Sequence, residues 1–249
     1  MSNIPKQMSQ ILIIGASAGI GQALVEEYLD KGHTVGALAR REALLQQQFG
    51  ANPRCSCGYL DVNAPDAADR ALAFAESMGG VDICIITAGI GHVNKDLDWE
   101  VEEKTIQTNV LGFSRLTLAF YHYFRQKEKV RGLRGQLVGI SSIAGVRGLY
   151  PCPGYSASKG YTALFLQSLR WKSNREKLGI KVTTIIPGFV DTGLVAGNEY
   201  LFWVVPVKKA ARQIYRGIAR KRARIFVSKR WGVLAKILYQ IPPCIVEHV

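Results

Sequence analysis

Nowhere in these 249 residues does an apolar stretch reach the ~20 residues that a helix needs to cross a bilayer. Residues 200–207 and 232–241 come nearest, and Lys236 interrupts the second. A spanning helix is thereby excluded, whereas attachment to a membrane surface is not. The N-terminus lacks the charged start, apolar middle and small-residue cleavage site of a secretory leader, so residues 1–10 read as a short polar lead and a cytoplasmic protein is expected. Cysteine is sparse as well: five, an odd number, scattered along a chain that is 48% hydrophobic and long enough to bury a core without staples. A disulfide framework is not expected. Cys55 and Cys57 form the one close pair, but no second Cys or His pair stands at zinc-ligand spacing and residues 54–59 alternate like a strand, so no metal is expected.

Acid is what the C-terminal part lacks. Residues 204–249 hold 11 of the 32 Lys and Arg but only Glu247 of the 19 acids, a net +10 out of the total +13. A solvated face is the first reading of such a stretch; anionic lipid is the second, and no nucleic acid partner is expected. Within it, Trp231, Val233, Leu234, Ile237, Leu238 and Ile241 beside Lys229, Arg230 and Lys236 suit an amphipathic helix. Such a helix packs against the body or a partner subunit, covers the substrate pocket, or makes a peripheral membrane contact.

What the chain does have is alternation. An apolar run at residues 11–14 ends at Gly15, and helical spacing follows from Ile20 through Leu24, Val25 and Leu29 to a stop at Gly32. Further strands are predicted at 34–39, ending at Asp61, and at 81–87, 136–140 and 181–186. Helices are predicted around Leu72 and Phe74, over 104–123 and over 155–177. Strands recurring with helices between them predict an α/β fold with one parallel sheet covered on both faces, because each parallel connection needs a crossover.

Chemistry gathers at the strand ends. Gly15, Ser17, Gly19, Ile20 and Gly21 lie in a small-residue turn between the first strand and its helix, where backbone can approach a diphosphate and the helix N-terminus favours an anion. Tyr155 and Lys159 stand four residues apart, hence on one helix face ~6 Å along the axis. A lysine there can draw a phenol's pKa down from ~10, which suits an acid and base. Tyr123 and Lys127 share the spacing, but Ser142 lies thirteen residues before Tyr155 across a Gly/Pro-containing loop, whereas Val110 holds that place before Tyr123.

These residues resemble the short-chain dehydrogenase/reductase family over residues 9–192. Besides the glycine turn and the Tyr-x-x-x-Lys pair, the sequence has Asp61-Val62, Thr87-Ala88-Gly89, Asn109, Ser141-Ser142 and Pro187-Gly188 in the family's order. The resemblance implies a single doubly wound Rossmann-type domain: a core over residues 11–192, with 193–249 as substrate lid and basic extension of the same domain. It implies an oxidoreductase that moves hydride between a nicotinamide and a carbonyl or alcohol substrate. Tyr155 is then the proton donor and acceptor, Ser142 binds the substrate oxygen, and Lys159 also holds the nicotinamide ribose. Asn109 resembles the residue that holds a water in a proton relay. Asp61 and Val62 are similar to residues that meet the adenine, Ala88 and Gly89 to backbone positions along the cofactor, and Pro187, Gly188, Val190 and Thr192 to positions near the carboxamide. A homodimer or homotetramer is implied too.

Two departures carry information. Thr87 stands where the family often has asparagine. The second strand ends Ala39-Arg40-Arg41, without the acid that NAD-using relatives place on the ribose, which favours NADP(H) because an arginine can pair with a 2′-phosphate. Arg40 is the better candidate, with Arg41 either sharing the contact or merely solvated. Residues 193–207, with Leu194, Tyr200, Phe202 and Trp203, suggest an apolar substrate pocket or core packing, and residues 149–154, including Cys152, line the same pocket. A catalytically silent dinucleotide-binding protein and a surface binder acting through the basic tail are the competing readings.

Overall fold

The computed structural model describes residues 9–130, 132–193 and 202–241. Seven parallel strands form one sheet in the order β3-β2-β1-β4-β5-β6-β7. They are β1 (Gln10–Ile14), β2 (Thr34–Ala39), β3 (Cys55–Tyr59), β4 (Ile83–Ile86), β5 (Gly135–Ile140), β6 (Ile180–Pro187) and β7 (Arg224–Val227). β1 lies inside the sheet between β2 and β4, and its residues Ile11 to Ile14 are completely buried. Alternation is absent from its sequence because both faces of the strand are covered. Ile11 and Ile13 join one core layer with Leu24 and Tyr28 of α1 (Gly19–Asp30). Leu12 and Ile14 join the other, with Phe113, Phe120 and Phe124.

Helix α2 (Glu42–Phe49) links β2 to β3, and α3 (Ala67–Ser77) links β3 to β4. The buried residues of α3 are Ala67, Ala71 and Ala75, which let it approach closely, while Phe74 lies over Gly36 and Gly58 of the neighbouring strands. The helix predicted over 104–123 begins earlier and changes pitch. It comprises α4 (Trp99–Ile106), a π-helical turn over residues 107–112 and α5 (Phe113–Gln126). The long helix α6 (Pro153–Arg175) connects β5 to β6.

The basic C-terminal stretch holds more of the fold than its charge suggests. Helix α7 (Val207–Ala219) buries Ala210, Ala211, Ile214 and Ile218 in the same core layer as α1, and β7 closes the sheet beside β6. Helix α8 (Lys229–Gln240) then buries Trp231 and Ala235, while Val233 and Ile237 stay exposed beside Lys229, Arg230 and Lys236. No helix among the described residues is long and apolar enough to cross a membrane.

Candidate active site

The chain leaves β1 at Gly15 with φ +93°, a value that glycine takes without strain. A Cβ there would overlap the backbone of Ala88, and one at Gly21 would overlap the carbonyl of Gly15. The turn is therefore folded tightly at the C-terminal edge of the sheet, between β1 and β4, where the strand order reverses. Open α/β sheets hold their ligands in that crevice. Helix α1 begins with no side-chain cap and no acid in its first turn, leaving its N–H groups and dipole available to a diphosphate. Thr87 supports the turn directly: its hydroxyl donates to the carbonyls of Ile14 at 2.9 Å and Gly15 at 3.0 Å.

At the end of β2 the geometry favours a different arginine from the one the sequence favours. Nε and Nη2 of Arg41 donate to the hydroxyl of Ser17, in the glycine turn, at 3.3 and 3.1 Å. Arg40 is exposed. Arg41 is the residue immediately before α2, where the chain reverses and carries its side chain back over the turn. After β3, Asp61 accepts from the N–H of Asn63 at 3.0 Å, and the backbone of Val62 lies against Gly112 of the π-helical turn.

The four catalytic candidates converge on the same edge. Ser142 precedes a short 3-10 turn, accepts from the N–H of Ala144 at 3.1 Å and lies close enough to the phenol of Tyr155 to pull its pKa down. Lys159 is only 7% exposed; its ammonium donates to the carbonyl of Ile140 at 3.1 Å and lies 5.6 Å from the centre of the Tyr155 ring. Burial pushes its pKa from 10.5 down to about 8. Burial also raises the pKa of Tyr155, with Ser142 pulling it partly back. The sequence argument expected the lysine to draw the phenol down; desolvation is instead the largest influence on Tyr155, and it raises the pKa.

Asn109 sits in the π-helical turn, a wider pitch often found at functional sites. Its Oδ1 accepts from the N–H of Ile90 at 2.9 Å, and its Nδ2 donates to the carbonyl of Ile90 at 2.7 Å and to Ser158 at 3.0 Å. A Cβ on Gly89 would lie 3.2 Å from both Asn109 Oδ1 and Lys159 Nζ, so the two side chains meet over that glycine. The rival pair is elsewhere: Tyr123 and Lys127 hydrogen-bond the N–H and carbonyl of Val81, ahead of β4 and at the opposite sheet edge.

Beyond β6, Gly188 donates to the carbonyl of Val227 at 2.8 Å, Val190 bridges to Val205, and the methyl of Thr192 lies 3.3 Å from where Gly19 would carry a Cβ. The proposed carboxamide-side positions and the glycine turn are thus adjacent, as one extended dinucleotide requires. The glycine cradle, the Ser17–Arg41 contact and the meeting point over Gly89 fit such a cofactor.

The amphipathic C-terminal helix expected from the sequence packs beside the end of β6, with specific partners that the sequence did not announce. Trp231 is 2% exposed and fills the space over Gly188, where a Cβ would overlap its indole. Phe189, Phe202 and Trp203 surround it with ring centres 5.2 to 5.8 Å away. Arg147, in the loop after Ser142, ties down the far end of α8 by donating to the carbonyl of Leu238 at 2.9 Å and to that of Ile241. The aromatic run around residue 203 was a signal; its pairing with Trp231 had none. Leu194 and Tyr200 lie outside the described residues. A cavity of about 550 Å³ beside the same loop is lined by Leu149, Tyr150, Pro153 and Ser156, and not by Ser142 or Tyr155. The four described cysteines are unpaired, and no metal-ligating cluster occurs among the described residues.

The sequence profile of the family described as short chain dehydrogenase matches residues 9–199. An uncharacterized oxidoreductase of Myxococcus xanthus (strain DK1622) is 34% identical over 238 residues, covering 91% of each chain. The solved short-chain dehydrogenase from Sphingobium yanoikuyae in complex with NADPH superposes with a TM-score of 0.77 at 21% identity, covering 95% of this chain and 97% of that one. A short chain dehydrogenase/reductase from Burkholderia phymatum in complex with NAD superposes with a TM-score of 0.80 at 17% identity, covering 92% of each.

Proposed function

The chain belongs to the short-chain dehydrogenase family, and on that premise we propose that it is an NADP(H)-dependent oxidoreductase acting on an apolar carbonyl or alcohol substrate. The observation that carries this reading is the convergence of Ser142, a protonated Tyr155 and a buried Lys159 on the sheet edge that also holds the glycine turn. Bound dinucleotide supplies the hydride that adds to the carbonyl carbon. Ser142 and Tyr155 hold the carbonyl oxygen, and Tyr155 gives it the proton that completes the alcohol. The Lys159 ammonium stabilises the phenolate left behind and returns a proton to it, regaining its own from a solvent water held at Asn109. In the oxidative direction the same groups run the steps in reverse.

Preference for the 2′-phosphate form rests on Arg41, held over the glycine turn by Ser17, with Arg40 nearby and no acid at the end of β2. The aromatic cluster of Phe189, Phe202, Trp203 and Trp231 supports an apolar substrate. A homo-oligomer is supported by the apolar side chains exposed on α5 and α6, among them Leu118, Leu164 and Trp171, which a second copy can cover. We place the enzyme in the cytoplasm, with a peripheral membrane contact through the exposed Val233, Ile237, Lys229, Arg230 and Lys236 of α8.

The test is NADPH consumption by the purified protein over a panel of aldehydes, ketones, quinones, steroids and acyl-thioester ketones. Turnover with at least one class is expected. Tight NADPH binding without turnover across the whole panel supports the catalytically silent alternative instead.

A further inference from the structure

Outside the reacting groups, one buried side chain ties together three segments that frame Tyr155. Asn94 is 5% exposed, and its backbone N–H donates to the carbonyl of Pro151 at 2.7 Å. Its Nδ2 donates to the carbonyl of Asp98 at 3.0 Å and to Oε1 of Glu102 at 2.7 Å, and its Oδ1 accepts from the N–H of Asp98 at 2.9 Å. The segment after β4, the start of α4 and the loop before α6 therefore meet at one residue. Glu102 carries the link to the catalytic helix, because a Cβ on Gly154 would overlap its Oε2. From the other side, a Cβ on Gly91 would come within 2.7 Å of the Tyr155 ring. The Tyr155 ring thus packs on Gly91 of the segment after β4, while the residue before it, Gly154, packs on Glu102.

The start of α6 needs such help. The residue before it, Cys152, makes no side-chain capping bond, and the first turn contains no acid. A carboxylate beside a helix N-terminus is favourable, and Glu102 supplies one from another helix.

We infer that Asn94 and Glu102 are positioning residues: they fix the first turn of α6 against residues 89–94 and so hold the Tyr155 phenol in register with Ser142 and Lys159. The inference rests on the assignment of Tyr155 as proton donor. It explains why the residue just before that tyrosine is glycine, and it identifies a link between two loops that flank the reacting groups.

The experiment measures kcat, carbonyl KM, NADPH dissociation constant and melting temperature for Asn94→Ala, Glu102→Ala, Glu102→Gln and Gly154→Ala, with Tyr155→Phe alongside. Misplacing a reacting group by ~1 Å can cost on the order of 100-fold. Asn94→Ala and Glu102→Ala are therefore expected to lower kcat by on the order of 10-fold or more, with NADPH affinity unchanged. Glu102→Gln, which keeps an oxygen for Asn94, recovers most of that loss. Gly154→Ala is impaired alone and adds nothing to Glu102→Ala, since the overlap it creates is with the deleted carboxylate. Wild-type kcat in Asn94→Ala and Glu102→Ala overturns the inference, as does a loss confined to melting temperature without rescue by Glu102→Gln. Full activity of Tyr155→Phe overturns the proton-donor assignment itself, and that variant reports on it separately.

Discussion

Gly15 and Gly188 both leave room that a side chain would occupy, but different neighbours claim it. At Gly15 the neighbour is the backbone of Ala88 at the end of the adjacent strand, and a positive φ marks the position as well. At Gly188 the neighbour is the indole of Trp231, from a helix that begins beyond the last strand. The nucleotide end is built from backbone turns and hydroxyl bonds between adjacent strand ends. The aromatic end, where we propose the substrate binds, is built from side chains brought together over long sequence separations. One design tolerates little change in residue type, whereas the other can be repacked for a new substrate without disturbing the cofactor crevice.

Lys159→Met tests the catalytic side of this contrast most severely. Turnover should fall by roughly 10²- to 10⁴-fold, the usual worth of a positioned acid–base system, while stability at neutral pH rises. The sign follows from the pKa, which is 10.5 when unperturbed and about 8 here. Below 8 both folded and unfolded chains carry the proton, and the folded one bears the full cost of a buried ammonium, up to about 3 kcal/mol. Between 8 and 10.5 the unfolded state binds more protons, so this group's contribution makes the wild type more stable as pH rises. Reduction should correspondingly slow as pH rises through about 8, where the ammonium is lost. Denaturant titration and a pH–rate profile check both; a destabilised but active variant contradicts them.

Trp231→Ala addresses the aromatic end. Emptying that site should cost about 3 to 5 kcal/mol of stability and raise KM for apolar carbonyls, with NADPH affinity little changed. Gly15→Ala should do the opposite, weakening NADPH while sparing the aromatic cluster. If the two variants affect cofactor and substrate alike, the two ends are not separable.

A smaller effect separates the two arginines. Arg41→Ala should weaken NADPH on the order of 10-fold, the lower end for a lost charge-assisted phosphate contact, and leave NADH unchanged. Arg40→Ala should change either affinity less. Cofactor titrations that reverse this order return the contact to Arg40, the residue favoured by the sequence alone.

The same division explains what could be read without a structure. The alternation at residues 11–39, the glycine turn and the Tyr155–Lys159 spacing are local patterns, and the strands and helices they announce stand close to the expected positions. Ala210, Ile214 and Ile218 recur at helical spacing too, but the surrounding Lys and Arg made residues 204–249 read as a charged extension rather than as α7 and the seventh strand. Arg41 over Ser17, Arg147 on α8, Trp231 under Gly188 and Glu102 against Gly154 are contacts between segments 24 or more residues apart. No periodicity within either partner announces them. Burial explains the last difference: the desolvation that raises the Tyr155 pKa and lowers that of Lys159 depends on what covers them, not on their spacing.

The proton-donor role of Tyr155 is tested most directly by comparing carbonyl-dependent NADPH oxidation in the wild type and Tyr155→Phe, with NADPH binding measured on the same samples. Loss of turnover with wild-type cofactor affinity is the expected result, because the variant removes the proton donor and leaves the glycine turn and Arg41 intact. Near-normal turnover by Tyr155→Phe, with Tyr123→Phe inactive instead, would contradict it.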